Sequence, residues 1–422
     1  MRIVLAVVLG RFVRALMRLR GGGSALPGWV ALKVAPGFLI HVMNRLRRDA
    51  NVPIVVVTGS NGKSTTTAMV VAALEANGHQ VFSNPSGGNL PQGIASSMLA
   101  DVSVTGGLRA SAVVLELDEA YGPRLVEIIK PTHALLLNVQ VDQLNRFYEP
   151  ERVMEMVTAI GSAAQVVLVN DADDNTREIG NRLALSGHDV FGLDVAPEAA
   201  PSGIYDANVG YDGVVDKRDA VATVVSSRGS HTTISVQGES VEVALPSPGI
   251  HYAVDAAAAL AMVSLVLGES CELRAAAQAI SSLKPVYGRG ESVVAFEAPL
   301  TIIMMKNFPS LQANLDALIE PPESLYLAVD EGTPDPSWIY DIDLSSIDHV
   351  DVVTGSKAWQ WETRLAYAEI PVGRVEPEPG LAFEHFGSST TPSRQDYRTA
   401  IVNYEQMMDL RRELGYKEIE GE

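Results

Sequence analysis

The sequence predicts an α/β fold. A parallel sheet covered on both faces carries a phosphate-binding loop, and a smaller C-terminal α/β domain follows it. Three observations predict this. Short apolar runs alternate with helix-like stretches, which is the pattern of buried parallel strands. The first run ends in Thr58-Gly59-Ser60-Asn61-Gly62-Lys63-Ser64-Thr65. The alternation breaks near Tyr287-Gly288-Arg289-Gly290-Glu291 and then resumes.

Residues 1–50 come first, as a basic helical segment. They hold nine Lys or Arg and one acid, a net of +8; the whole chain carries −19, which leaves −27 for the rest. Ile3 to Leu9 is apolar but too short to span a bilayer. Arg11 and Arg14 follow it, with no clear small-residue cleavage site. A helix there sets Arg11, Arg14 and Arg18 on one side and Phe12, Leu16 and Leu19 on another. That pattern suits a membrane surface, and it equally suits a helix packed on its own domain.

Residues 51–287 form the central domain. Its strand-like runs are Ile54–Val57, Ala112–Leu117, Ala134–Val139 and Val166–Val169, and Thr65–Ala76 is a helix stopped by Gly78. Residues 202–245 alternate in short segments with Gly at the turns, as in a small antiparallel insert. Helical sequence returns at Ala253–Leu267 and Leu273–Leu283. After a hinge, residues 288–422 form the second domain, with runs at Leu300–Met304, Leu325–Val329 and Val350–Val353. From Ser393 to Leu414, the spacing of Tyr397, Ile401, Tyr404 and Met408 predicts a terminal helix.

Composition bounds the function. With 422 residues, 47% hydrophobic and 20% charged, the chain can bury a large core. Its acidity argues against general nucleic-acid binding. Cys271 is the single cysteine, so neither a disulfide within the chain nor a multi-cysteine zinc site can form. A reducing, cytoplasmic compartment fits this usage, with the basic N-terminus open to a peripheral position at the inner membrane face.

The loop Gly59–Thr65 carries the sharpest chemistry. Its glycines let successive N–H groups turn toward an anion, and the helix that follows adds its positive end. Lys63 can reach terminal phosphates, and the Ser64 hydroxyl can ligate Mg²⁺. Val57 stands where the usual phosphate loop begins with Gly, so this is a shortened variant. A triphosphate with its divalent ion needs carboxylates. Glu116-Leu117-Asp118-Glu119 lies at the end of the Ala112 run, on the edge where ligands bind in open α/β sheets, so Glu116 and Glu119 are candidate Mg²⁺ ligands.

These residues resemble the Mur ligases, the ATP-dependent ligases of peptidoglycan synthesis. The resemblance rests on the loop, on Asn138-Val-Gln-Val-Asp142-Gln143-Leu-Asn-Arg146 and on Val169-Asn170-Asp171-Ala172-Asp173-Asp174. Four further segments resemble the MurT-type branch of that family: Asn84-Pro-Ser-Gly-Gly-Asn89-Leu, Asp142-Gln143-Leu, Lys306-Asn307 and Asp335-Pro-Ser-Trp338-Ile-Tyr-Asp341-Ile-Asp343. The resemblance spans roughly residues 10–415. It implies a Mur-ligase-type central ATPase domain and a C-terminal domain working with a GatD-type glutaminase subunit. It also implies the reaction, which is amidation of the stem-peptide D-glutamate α-carboxyl in lipid II through an acyl phosphate. Carried over, Gly59, Ser60, Asn61, Gly62, Lys63, Ser64 and Thr65 hold ATP. Ser64 and Glu116 hold Mg²⁺, and Arg289 and Lys306 face the phosphates. Asp335, or failing it Asp341, completes the partner's Cys-His pair.

The sequence departs from that pattern. A zinc ribbon common in the branch cannot form with one cysteine, so the insert is expected without metal. Tyr252 and Asp255 stand where the family prefers Asn near the nucleotide, and Phe308 stands where Pro is expected. Phe147–Gly161 contains no lysine to be carbamoylated as in amino-acid-adding Mur ligases, which suits ammonia as nucleophile. A folylpolyglutamate-synthase-like ligase and a non-catalytic nucleotide-binding paralogue remain as alternatives.

Overall fold

The computed structural model describes residues 1–20, 25–49, 52–84, 88–140, 150–199, 218–284, 289–318, 320–330, 337–389 and 398–416. Three helices come first: α1 (Arg2–Arg20), α2 (Ala25–Val34) and α3 (Phe38–Asp49). Then strands and helices alternate through β1 (Ile54–Thr58), α4 (Lys63–Ala76), β2 (Val81–Ser83), α5 (Pro91–Asp101), β3 (Ala112–Glu116), α6 (Gly122–Ile129) and β4 (His133–Leu136). The alternation continues with α7 (Pro150–Gly161), β5 (Val166–Asn170), α8 (Asp174–Leu185) and β6 (Asp189–Val195). An antiparallel run of β7 (Ala220–Arg228), β8 (His231–Val236) and β9 (Glu239–Ala244) precedes α9 (Ile250–Leu267) and α10 (Leu273–Ser281).

β1 shows why these runs become central strands. All five residues are buried, and the strand pairs in parallel with β3 on one side and β4 on the other. Ile54 and Val56 point into one hydrophobic cluster, and Val55 and Val57 into another. Strand alternation thus feeds two cores, and burying each Val or Ile side chain contributes ~1.5–3 kcal/mol. The order of the nine-stranded sheet is β2-β3-β1-β4-β5-β6-β7-β8-β9. The segment read as a small insert therefore continues the edge of this same sheet, because β7 pairs in parallel with β6. α9 is long and apolar enough to cross a membrane, yet it lies mostly buried against the sheet, where its alanines allow close packing.

The N-terminal helices cover the opposite face. α2 lies so close to α5 that a Cβ on Gly28 would stand 1.9 Å from the Gln92 carbonyl oxygen. α1 also rests on α5, through Ala6, Val7 and Gly10.

The second domain adds β10 (Arg289–Ala295), β11 (Ala298–Met304), α11 (Phe308–Asp316), β12 (Ser324–Ala328), a 3₁₀ turn (Ser337–Asp341), β13 (Val350–Thr354) and α12 (Ala358–Tyr367). It closes with β14 (Val372–Glu376), α13 (Pro379–Ser389), β15 (Arg398–Val402) and α14 (Tyr404–Glu413). Its sheet runs β10-β11-β15-β12-β13-β14 and is parallel except for β10.

The C-terminal stretch corrects an expectation. Ser393–Leu414 is not one helix: residues 398–402 form β15, fully buried between β11 and β12. Ile401 packs on one face of this sheet and Ala400 and Val402 on the other, so the local period is two. The helix begins only after Asn403, whose side chain accepts from the Gln406 N–H, and Tyr404 at its start is half-exposed. Tyr397 lies outside the described residues. β-branched Thr399, Ile401 and Val402 fit a paired strand better than a helix.

Candidate active site

The loop Gly59–Gly62 leads from β1 straight into α4. Gly62 adopts φ +83°, and no side chain caps the helix. A Cβ at Gly62 would meet Asp255 Oδ1 at 2.4 Å, so both the conformation and the space require glycine. A strand end, a tight turn and a helix N-terminus with backbone donors make an arrangement able to hold a phosphate.

Lys63 is buried, and its ammonium is satisfied by Glu119 Oε1 at 2.7 Å and by the carbonyl oxygens of Gly59 at 2.5 Å and Ser60 at 3.4 Å. Glu119, expected beside Glu116 as a metal ligand, turns its Oε1 to the Lys63 ammonium. Glu116 ends β3 opposite Val57 in the neighbouring strand. It is 3% exposed, and among the described residues its carboxylate has one hydrogen bond, from Asn89 Nδ2 at 3.3 Å. A buried carboxylate with one amide donor, at the end of the strand paired with β1, fits a small divalent cation that prefers oxygen ligands.

Asn84 fixes the backbone of Glu116. Its Oδ1 accepts from the Glu116 N–H at 2.9 Å, and its Nδ2 donates to the Glu116 carbonyl at 3.1 Å and to that of Gly88 at 3.0 Å. The other side of the loop is held by Asn138 and Gln140, which follow β4. Asn138 exchanges two hydrogen bonds with the Asn61 backbone, at 2.8 and 3.1 Å. Asn61 Nδ2 donates to Gln140 Oε1 at 2.7 Å, and the Gln140 N–H donates to Ser60 Oγ at 3.0 Å. Asn84, Asn89 and Asn138 stand in the segments that carry the family resemblance, which does not by itself imply these roles. The sequence signal for Asn138 is a polar residue ending the apolar run Ala134–Leu137.

The second domain reaches the loop from its own carboxyl edge. Lys306 Nζ donates to the Ser60 carbonyl at 2.9 Å. Asn307 Nδ2 donates to Asn61 Oδ1 at 3.2 Å while the Asn307 carbonyl-type oxygen caps α11 by accepting from the Ser310 N–H at 3.0 Å. Phe308 opens α11 and Pro309 follows, one place later than expected. Arg289 begins β10, in register with Ile303; its side chain lies outside what is described. Asp341 ends the 3₁₀ turn, exposed. Asp335, Asp142 and Gln143 lie outside the described residues, as does the break at 287–288.

Tyr252 and Asp255 are both buried in α9. The Tyr252 ring stands 4.3 Å from that of His251, and Asp255 faces Gly62. Behind the loop, Asp173 caps α8 and accepts from the N–H groups of Thr176 at 2.8 Å and Val139 at 3.4 Å. Burial pushes its carboxyl up to about 7. Burial likewise raises Asp171 to about 6, partly offset by its ion pair with Arg218.

This arrangement can hold a polyphosphate between two cationic side chains, one from each sheet. Residues 57–263 match the Mur ligase middle domain. Over 99% of this chain and 98% of the relative, the sequence is 26% identical to the MurT subunit of lipid II isoglutaminyl synthase (glutamine-hydrolyzing) from Streptococcus pneumoniae. Among solved structures, MurF from Acinetobacter baumannii superposes with a TM-score of 0.67 at 18% identity, covering 89% of this chain and 80% of that one. MurF ligase from Thermotoga maritima in complex with ADP gives 0.65 at 18%, covering 89% and 83%. At such identity these two establish a shared fold.

Proposed function

The chain belongs to the Mur ligase family, and from that premise we propose that it is the ligase subunit of an amidating enzyme that acts on lipid II with ATP and ammonia. The observation that carries this reading is the cleft in which Lys63 and Lys306 converge on the loop Gly59–Gly62 from opposite sheets. It is supported by end-to-end similarity to a relative named as a subunit of a glutamine-hydrolysing lipid II ligase.

ATP would lie with its triphosphate along the loop and the N-terminus of α4. Lys63 would exchange Glu119 for phosphate oxygens, and Lys306 and Arg289 would meet the γ-phosphate from the other side. Ser64 and Glu116 would hold Mg²⁺, which offsets phosphate charge during transfer. The stem-peptide carboxylate oxygen attacks the γ-phosphorus and ADP leaves. Ammonia then attacks the acyl carbon, phosphate departs, and the nitrogen gives up a proton. A carboxylate is a poor electrophile until phosphorylated, and the acyl phosphate must be kept from water, which the closed cleft favours. Ammonia would come from a GatD-type glutaminase, with Asp335, or Asp341 as the second choice, orienting the partner's catalytic His. The lipid-borne substrate places the work at the cytoplasmic face of the membrane.

The test uses purified chain, ATP, Mg²⁺, lipid II and concentrated ammonium, with the product read by mass spectrometry. Conversion of acid to amide that disappears in Lys63→Ala is the expected result. If no amide forms with ammonium or with a co-expressed glutaminase while ATP still binds, the reading fails in favour of a non-catalytic paralogue, which the Asp255 carboxylate beside Gly62 would suit.

A further inference from the structure

We propose that α1 is a docking helix for an anionic phospholipid surface, with its outward stripe seated in the headgroup–acyl boundary. The stripe consists of Val4, Leu5, Val8, Leu9, Phe12 and Leu16, all on the solvent side. Leu5 is 51% exposed, Val8 50% and Phe12 61%. Their spacing of three and four residues forms one continuous helical face.

The inward face is the unusual one. Apart from Ile3, which packs against the core, it is built of small or cationic residues: Ala6, Val7, Gly10 and Arg11. A Cβ on Gly10 would already collide with Leu99 at 2.5 Å. Arg11 turns toward the domain and donates to the carbonyl oxygens of Leu99 at 2.8 Å, of Ala100 at 3.4 Å and of Val102, at the end of α5. The helix is thus fixed to its domain by its small and charged side, and its larger apolar side is left outward. Six apolar side chains in one exposed row exceed the scattered exposure of an ordinary surface. On α2, which packs beside α1, Leu26 and Trp29 are also exposed, and Lys33 Nζ lies 5.4 Å from the Trp29 ring centre. An amphipathic ring with a cation beside it suits the membrane interface.

Charge selects the occupant. Residues 1–50 carry a net +8, and the remainder −27. The partners of Arg11 and Arg47 are backbone carbonyls and the Asn44 amide oxygen, all neutral, so these hydrogen bonds leave the formal charge in place. An anionic bilayer attracts this end and repels the body, which orients the molecule. A second copy would instead bring two +8 segments together. The inference needs only a lipid surface. It stands or falls apart from the amidation reading, because its test contains no lipid II and no turnover.

The test is co-flotation of the full chain with vesicles of phosphatidylglycerol and phosphatidylcholine, set against phosphatidylcholine alone. Binding to the anionic vesicles, weakened by salt, is expected. Val8→Asp and Phe12→Asp should each lower partitioning about tenfold or more, while Phe12→Leu retains it and ATP binding is unchanged in all three. Absence of flotation, or equal flotation of Phe12→Asp, overturns the proposal. So does a dimer in sedimentation that Phe12→Asp turns into monomer, which would assign the stripe to a second copy. Loss of flotation on adding the glutaminase subunit would assign it to that partner instead.

Discussion

Asn84 does for Glu116 what an adjacent strand would do: it pairs with both the N–H and the carbonyl of one residue. Asn84→Ala leaves those groups unpaired at the carboxylate proposed to hold Mg²⁺. It should lower turnover about 10–100-fold through weakened metal use, rescued in part by raised Mg²⁺, with circular dichroism unchanged. Asp173 gives a pH prediction. Its folded value of about 7 lies above the ordinary carboxylate range, so the fold favours the protonated form. That contribution is complete below about pH 4 and is lost as pH rises toward 7. Asp173→Asn keeps the acceptor for Thr176 and Val139 and should flatten the decline of urea stability between about pH 4 and pH 7. The flattening is partial, because Asp171 titrates in the same sense. At this scale the sequence was legible where chemistry is contiguous: Gly59 to Thr65 could be read as one loop. Asn138, Gln140 and Asn307 could not, because the amides that meet Asn61 come from 77, 79 and 246 positions away.

Elements were legible where burial is uniform. The runs that became β1, β3, β5 and β12 are apolar apart from Glu116 at the end of β3, and could only be central strands or buried helices. β15 misled because Ile401, Tyr404 and Met408 satisfy a helical period by coincidence, across a strand, a cap and a helix. α1 was readable as amphipathic, but its orientation was not. Which side meets the domain depends on Gly10 fitting against Leu99, and that contact belongs to α5 as much as to α1. The crossing of α2 over α5 makes a test at this scale. At Gly28 the neighbour is backbone, the Gln92 carbonyl oxygen, and cannot swing aside as a side chain would. Gly28→Ala should therefore cost at least ~1–3 kcal/mol in denaturant unfolding, with the loss falling on the N-terminal helices and the nucleotide loop retaining ATP.

At the scale of the whole molecule, and among the described residues, hydrogen bonds join the second sheet to the loop through the Lys306 ammonium on the Ser60 carbonyl and the paired amides of Asn61 and Asn307. Polar contacts of this kind can be remade when a substrate enters, which would suit a cleft that opens to exchange nucleotide. Lys306→Ala should leave the fold intact, as judged by its unfolding transition, and lower kcat more than nucleotide affinity. An equal loss in both would mean that the lysine serves binding alone. The second sheet also has an order of assembly written into it. β15 lies between β11 and β12 although it follows every other strand of that sheet in the chain. A ribosome producing this protein therefore releases β10, β11, β12, β13 and β14 before the strand that joins them exists. Until Val402 clears the exit tunnel, the edges of β11 and β12 stand unpaired, open to chaperones and to neighbouring nascent chains. The nine-stranded domain, complete by α10, has no such wait.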